Sequence, residues 1–491
     1  MFNKITKSNI LIYCGLFLLA FLVVFVSALN PFSSAELESD TTIYLTIAQG
    51  ITRGQVPYKD FADNKGPLTY LISVPGMFFG GFTGVWITEL ILMFISVLFA
   101  YKTALFFGNN IFSLSGVVCS FLVFQSFLDE VAGTEEYALP FMMISLYIFT
   151  KYFFTKKEPP VFELIIVGIC FAAAFLIRIN MFPLWLGFCI IILIETLYNK
   201  KFLPLIKFVS FFCIGILIVI IPLYLYLYCN NAFSDYIHQN FIVGSSRGLS
   251  GFSIKEFVIS FYKIIDKNYC WLPLPIYFIW IIKKQEKINV FLSAGLLLAY
   301  LLTVLFLAVI LTSFRHYNLV LTPFLVPVFT FCSMPVYNYF SNVKNKKIAL
   351  LVFVCIIFSQ CFATWCWSVY NNMTDSSRNK SISMGKRIDQ NTTMDDRIIL
   401  LGKPYHIYLF TERLAASRYI YQGSGVNYDP NAQTEFLLDM QKNRPKIIGI
   451  AEINGNYNHL PGWYSPVYTM IENEYRILSS DNGYFLFIRD K

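Results

Sequence analysis

The chain has 491 residues, of which 56% are hydrophobic and only 14% charged. A soluble domain carries roughly a quarter charged residues, so this chain lacks the polar surface needed to cover a water-facing shell. Its net charge of +8 follows the lysine pattern of the connections between apolar runs, so it is not read as nucleic-acid binding.

Runs near the ~20 apolar residues that cross a bilayer recur along the first three quarters of the chain. In order they are Ile10–Leu29, Gly84–Phe107, Ile111–Leu128, Tyr137–Phe154, Val161–Ile177, Met181–Leu197, Leu205–Tyr228, Tyr269–Ile282, Val290–Leu311, Leu319–Val336 and Ile348–Tyr370. They amount to about eleven transmembrane helices. The first contains Val26-Ser27-Ala28, which resembles a cleavage site. Its apolar core is longer than the ~7–15 residues of a signal peptide, so it reads as an uncleaved anchor.

Alternate connections hold the lysines: Lys4 and Lys7, Lys102, Lys151 and Lys156, Lys200 and Lys207, Lys283 and Lys287, Lys344 and Lys347. The intervening ones hold most of the acids. Lysine concentrates on the cytoplasmic side, so the N-terminus is expected inside and the tail outside a plasma (inner) membrane. The expected fold is an all-α polytopic membrane domain over residues 1–370 with a small C-terminal extracytoplasmic α/β domain over residues 371–491.

Three outward segments stand out. In the first, residues 30–81, Ser39 or Asp40 caps a predicted helix through Gln49, and Gly50 and Gly54 end it. The apolar stretch Leu68–Phe79 is too short to span and should lie in the interface or re-enter the bilayer. In the second, residues 230–268, Ser253 to Glu256 has capping-box spacing ahead of an amphipathic helix carrying Phe257, Phe261, Ile264 and Ile265. In the tail, strands are predicted at Arg397–Leu401, Lys446–Ala451, Tyr475–Leu478 and Tyr484–Ile488, and helices at Tyr405–Ala416 and Ala432–Gln441. Cys229 and Cys270 bracket the second segment, where a disulfide and two unpaired thiols both remain open.

The first segment holds the sharpest constellation of polar residues. A carboxylate at a helix start just outside the bilayer, Asp40, is placed to accept a proton from a hydroxyl nucleophile. A cation some twenty residues on, Lys65, is placed to neutralise charge developing on a leaving phosphate. The plainer readings are that Asp40 caps a helix and Lys65 snorkels to headgroups. Asp60 suits a sugar hydroxyl or the local turn. Asp129, Glu130, Glu135 and Glu136 form an acidic second loop, or a hydrated cap between spans. Arg178 departs from the lysine bias, and a guanidinium grips phosphate bidentately. Arg315 and His316 face phosphate, face sugar, or anchor a span end.

The order Asp40, Tyr44, then Gly54-x-x-Pro57-Tyr58-x-Asp60, then Lys65-Gly66-Pro67-Leu68-x-Tyr70 resembles the first loop of the GT-C membrane glycosyltransferases. The branch is similar to bacterial protein O-mannosyltransferases and the lipid A aminoarabinose transferase. That resemblance implies inverting transfer from a polyprenyl-phosphate sugar, with Asp40 as base and Lys65 at the carrier phosphate. It favours Glu135 and Glu136 among the second-loop acids as further catalytic candidates beside Asp60. It also places Tyr58, Arg178, Arg315 and His316 with the donor. The aminoarabinose transferase has Glu where this chain has Asn64, and its Lys-Pro-Pro-Leu reads Lys65-Gly66-Pro67-Leu68 here.

No dinucleotide-binding fingerprint, Walker motif or zinc spacing is present in the sequence. No metal site or certain cofactor is expected, and a divalent metal is left open without support. The expected partners are a polyprenyl-phosphate-linked sugar, a glycan, lipid or protein acceptor, and membrane lipids. A lipid-linked glycan flippase is the first rival reading. It requires ionisable groups near mid-span and pseudo-symmetric halves, whereas the acids are expected to cluster outside the spans. A glycan polymerase or ligase, and an envelope protein acting only through its tail, are the others.

Overall fold

The computed structural model describes residues 7–37, 39–128, 132–243, 253–266, 290–309, 314–341, 362–402, 404–427, 429–452, 456–457, 459–481 and 483–490. The expected span Tyr269–Ile282, most of the span Ile348–Tyr370, Asp129, Glu130 and Cys270 lie outside them.

The described chain is mainly helical. Helices α1 (Lys7–Phe25), α2 (Ser39–Thr52), α3 (Val74–Ala104), α4 (Asn110–Phe127), α5 (Thr134–Thr155), α6 (Val161–Ile177), α7 (Pro183–Asn199) and α8 (Phe202–Cys229) follow in order. They continue with α9 (Ile254–Asp266), α10 (Val290–Val309) and α11 (Thr322–Ser341). Five of them, α3, α4, α5, α8 and α10, are long and apolar enough to cross a membrane. Tight pairs form between α6 and α8, α4 and α11, and α7 and α10. Glycine allows the first of these: Gly168 meets Gly215 backbone to backbone, so the two helices approach without side chains between them.

The stretch before the second expected span is set off from it by a sharp kink. Helix α3 breaks at Gly81, whose φ of 56° and ψ of −137° reverse the chain. Gly76 and Gly84 then pack backbone against backbone. Eight residues apart on a straight helix they would stand about 12 Å from one another. The limb before the break exposes Phe78 and Phe79. The capping reading holds at α9, where the Ser253 hydroxyl accepts from the Glu256 amide at 3.1 Å.

Beyond residue 370, helix α12 (Ser377–Gln390) leads into a five-stranded sheet of order β2-β1-β3-β5-β4. The strands are β1 (Arg397–Leu401), β2 (Leu414–Ala415), β3 (Ile447–Ala451), β4 (Tyr475–Asp481) and β5 (Tyr484–Arg489). Pairing is parallel between β1 and β2 and between β1 and β3, and antiparallel for β3–β5 and β4–β5. Helices α13 (Pro430–Asn443) and α14 (Ser465–Glu474) also belong to this region.

The expected helix Tyr405–Ala416 is corrected. Residues Pro404–Phe410 form a 3-10 turn, and Leu414–Ala415 extend to pair with Arg397 and Ile398. Sheet pairing overrides local helix preference there. The C-terminal region is fastened to the first loop by Arg378, which donates to the carbonyls of Ser33 and Ala28. His406 Nε2 lies 3.0 Å from Glu36 Oε1 and adds a polar contact.

The Gly76–Gly84 contact leaves no room for a side chain. Gly84→Val is expected to destabilise the chain by about 1–3 kcal/mol, measured as a lower thermal midpoint in detergent.

Candidate active site

Two residues of the first loop fix where the site lies. The Gly66 amide donates to the Ile177 carbonyl at 3.0 Å, and the Thr69 hydroxyl reaches the same oxygen at 2.9 Å. A Cβ on Gly66 would overlap the Leu176 carbonyl oxygen. Gly66 therefore suits this position for two reasons. It lacks a side chain, and it keeps the amide that proline, the residue of the related Lys-Pro-Pro-Leu motif, does not have. The loop is thereby docked on the last turn of α6, and Arg178 is the next residue of that chain.

Around this contact the predicted residues converge. Lys65 Nζ lies 3.6 Å from Asp40 Oδ2, and the Tyr44 hydroxyl donates to the same oxygen at 3.1 Å. Asp40 sits within the first turn of α2. Tyr58, buried and at a φ of 69°, donates to the Lys65 carbonyl at 2.6 Å. The Tyr70 hydroxyl donates to Asp63 Oδ2 at 2.7 Å, and the Asn64 amide donates to Asp63 Oδ1 at 2.7 Å. The Tyr70 ring contacts both Tyr44 and Tyr58, with centroids 6.2 Å away in each case.

Arg178 forms a buried ion pair with Glu135, whose other oxygen accepts from Thr134 at 2.7 Å. Its guanidinium lies 4.1 Å from the centroid of the Tyr317 ring. The Tyr44 hydroxyl ties the two charge pairs together electrically. Burial raises its pKa well above the ordinary value; Asp40, Asp63 and Glu135 add to the rise, and Arg178 opposes it.

Other predicted residues lie elsewhere or act locally. Asp60 accepts from the Val56 amide at 2.7 Å and so closes the local turn. Glu135 and Glu136 are not in a loop but in the first turn of α5. Glu136 accepts from the Ala132 amide at 3.0 Å, which closes the turn before its own helix. Arg315 is exposed and donates to the Ser126 carbonyl at 2.7 Å, fastening a turn to α4. His316 is buried and stacks on Phe314 at 5.6 Å; its neighbour Tyr317 is the residue that meets Arg178.

Sequence reading missed three participants. Gln239 donates to the Tyr58 carbonyl and accepts from the Asp63 amide, both at 3.0 Å, and so spans the turn that carries Lys65. Arg418 of the C-terminal region donates to Asp235 at 3.0 Å and to the Tyr58 carbonyl at 3.4 Å. The third corrects the expectation that no acid lies near mid-span. Glu89 is buried within α3, accepts from Ser27 at 3.0 Å, and leaves Oε1 without a partner among the described residues. No cluster of three or more metal-ligating side chains occurs among the described residues.

Burial raises the Asp63 pKa above the usual carboxylate range, against the opposing pull of Lys65 and the Tyr70 hydroxyl. Folded Asp63 thus holds its proton to higher pH than the unfolded chain, whose carboxyls titrate near about 4. Its stabilising contribution is full below that value and is lost as pH rises through the folded pKa. The thermal midpoint of the wild type, relative to Asp63→Asn, is expected to rise as pH is lowered from about 7 to about 4.

The family model of the competence-induced Ccs4 N-terminal domain matches residues 2–347. No curated protein matches the sequence. Among solved structures, ArnT from Cupriavidus metallidurans bound to undecaprenyl phosphate aligns at a TM-score of 0.60 and 11% identity over 98% of both chains. The apo form of the same protein gives 0.61 and 10% identity, again over 98% of both chains. The Archaeoglobus fulgidus oligosaccharyltransferase, tethered to an acceptor peptide containing the NVT sequon, gives 0.52 and 11% identity over 100% of this chain and 75% of that one. These neighbours are GT-C glycosyltransferases, and the likeness is one of fold: the chain has the GT-C membrane fold.

Proposed function

The chain belongs to the competence-induced Ccs4 N-terminal domain family, and from the site built within that region we propose that it is an inverting glycosyltransferase using a polyprenyl-phosphate sugar. The observation that carries the reading is the meeting of Lys65 with Asp40 at 3.6 Å beside the buried Arg178–Glu135 pair. A base for the acceptor and cations for a departing phosphate thus stand together. The bound undecaprenyl phosphate of the ArnT structure supports a carrier of that class.

In the proposed reaction Asp40 takes the proton of an acceptor hydroxyl as its oxygen attacks the anomeric carbon. The bond from that carbon to the phosphate oxygen breaks with its electron pair, and the configuration inverts. The charge gathered on polyprenyl phosphate is met by Lys65, with Arg178 behind it as a fixed positive charge. Arg178 is preferred to Arg315 for this role because it acts on Tyr44 and Tyr317, whereas Arg315 is engaged at the Ser126 carbonyl. By the lysine distribution, the site and the C-terminal region face the outside of the plasma membrane. The acceptor is a glycan, lipid or protein of the envelope.

A flippase for a lipid-linked glycan is the second reading. Glu89, buried within an apolar helix with one oxygen unpartnered, favours it. The two separate in assays of purified protein with radiolabelled polyprenyl-phosphate hexoses. The transferase reading expects sugar release by the wild type, reduced about 10²–10⁴-fold in Asp40→Asn at an unchanged thermal midpoint. Lys65→Ala is expected to lose about 10²–10³-fold in kcat/KM. Full transfer by a folded Asp40→Asn variant would remove Asp40 from the mechanism. Glu89→Gln is expected to leave transfer intact, and its loss together with lipid translocation would favour the flippase.

A further inference from the structure

A recess lies away from the Asp40–Lys65 pair, where α2 meets the C-terminal region. It is a shallow recess whose space of about 280 Å³ is open in part to solvent. Thr46, Gln49 and Arg53 reach it from one face of α2, at the spacings of three and four that align side chains on a helix. Gln55, Phe61 and Tyr408 also line it, beside Arg413 and the apolar Leu414 and Ile420.

The polar groups of this wall are only partly satisfied. The Arg53 guanidinium donates to the Thr411 carbonyl at 3.5 Å, at the limit of a hydrogen bond. Arg53 makes no ion pair among the described residues, and burial lowers its pKa from the ordinary guanidinium value. The carboxylate that would naturally answer it, Asp389, already accepts from Thr411 at 2.6 Å and pairs with Arg413 at 3.8 Å. The side-chain amide of Gln55 has no hydrogen-bond partner among the described residues, and Gln49 uses only its Nε2, on the Leu409 carbonyl at 3.4 Å. Glu412 and Asp389 act on Arg53 from beyond ion-pair reach, so an exposed and only distantly answered cation, two amides with unused bonding capacity and two aromatic rings line one cleft.

We propose that this recess is an acceptor subsite for an anionic sugar residue, carboxylate- or phosphate-bearing. A guanidinium suits either group through its planar fork. The amides suit ring hydroxyls, and the aromatic wall suits the apolar face of a sugar. At 1.5 Å per residue, Thr46 and Arg53 stand about 9 and 20 Å along α2 from Asp40. The recess is thus too remote for the sugar being transferred and is spaced for a residue further along an extended acceptor glycan. Binding energy at such a distance serves to hold the acceptor hydroxyl at Asp40. The inference rests on the transferase reading and narrows it to acidic acceptor glycans.

Its test needs no donor. The full chain in detergent is titrated with digalacturonate, galactose 6-phosphate and neutral lactose, with ligand-observed saturation-transfer NMR as readout. Saturable binding of at least one anionic sugar is expected, without binding of lactose. Arg53→Gln should weaken it about tenfold at an unchanged thermal midpoint. Arg53→Lys, which keeps the charge and loses the fork, should fall between. Binding of digalacturonate alone identifies a carboxylate ligand, and of galactose 6-phosphate alone a phosphate. Equal binding of lactose, no saturable binding of either acid, or binding indifferent to both Arg53 variants overturns the proposal. Anionic binding through Arg53 in a protein that releases no sugar from any polyprenyl-phosphate donor overturns the transferase reading and leaves the recess standing.

Discussion

The Gly66 amide bonded to the Ile177 carbonyl at 3.0 Å joins two parts of the chain that are more than a hundred residues apart. The two cations of the candidate site stand next to that contact. Lys65 immediately precedes one partner of this bond and Arg178 immediately follows the other, so the contact joins the backbones that carry both cations. The constraint is steric as well as polar, because the Leu176 carbonyl occupies the space a side chain would need. A loop docked by its backbone has less freedom than one held by side chains alone.

The docked loop is then braced from the other side. Gln239 spans the Tyr58 carbonyl and the Asp63 amide. Arg418 reaches from the C-terminal region to the Tyr58 carbonyl and Asp235, and its own carbonyl accepts from the Ala62 amide at 2.8 Å. Four sections of chain thus converge on the turn that carries Lys65: the first loop, the end of α6, the segment after α8 and the C-terminal region. Connecting segments usually move more than the elements they connect. Here the backbone groups of the turn are bonded on both faces, and Tyr58 is held in a left-handed conformation that a tyrosine adopts only under constraint. Rigid placement of the reacting groups is what such bracing provides.

The parts of this architecture that were legible in the sequence are those encoded locally. Apolar runs gave α4, α6 and α10 to within a few residues, and Val161–Ile177 at both ends. Short β-branched runs gave β1 and β3, and the Asp40, Tyr44, Lys65 and Tyr70 pattern gave the heart of the site. Tertiary pairings were not legible. Glu135 and Arg178 are 43 residues apart, and nothing in either neighbourhood announces the other. Gln239 is one of several amides in a polar stretch, and only the folded turn gives it two partners. Leu414 is strand only because Arg397 lies beside it. Glu89 was hidden for a different reason. A single acid hardly lowers the apolarity of a long span, so hydropathy passes over the residue that is costliest to bury.

The two ion pairs of the site differ in a way that assigns them different parts in the proposed reaction. Asp40 and Lys65 keep 38% and 17% of their side-chain surface, and at 3.6 Å they are in contact without a tight hydrogen bond. Such a pair is worth little and is readily exchanged. Arg178 and Glu135 keep only 14% and 4%, with Thr134 and Tyr317 enclosing them. Separating that pair would leave a buried charge unanswered, a cost of about 3–5 kcal/mol. An arriving phosphate therefore has one cation that can change partners, Lys65, and one that stays in place and supplies a constant field, Arg178. When Lys65 turns to phosphate, Asp40 loses its counter-charge at the moment the acceptor hydroxyl needs a base. Donor binding would in this way ready the base, so that proton abstraction follows occupancy of the donor site, and an acceptor arriving alone would meet an Asp40 still held by Lys65.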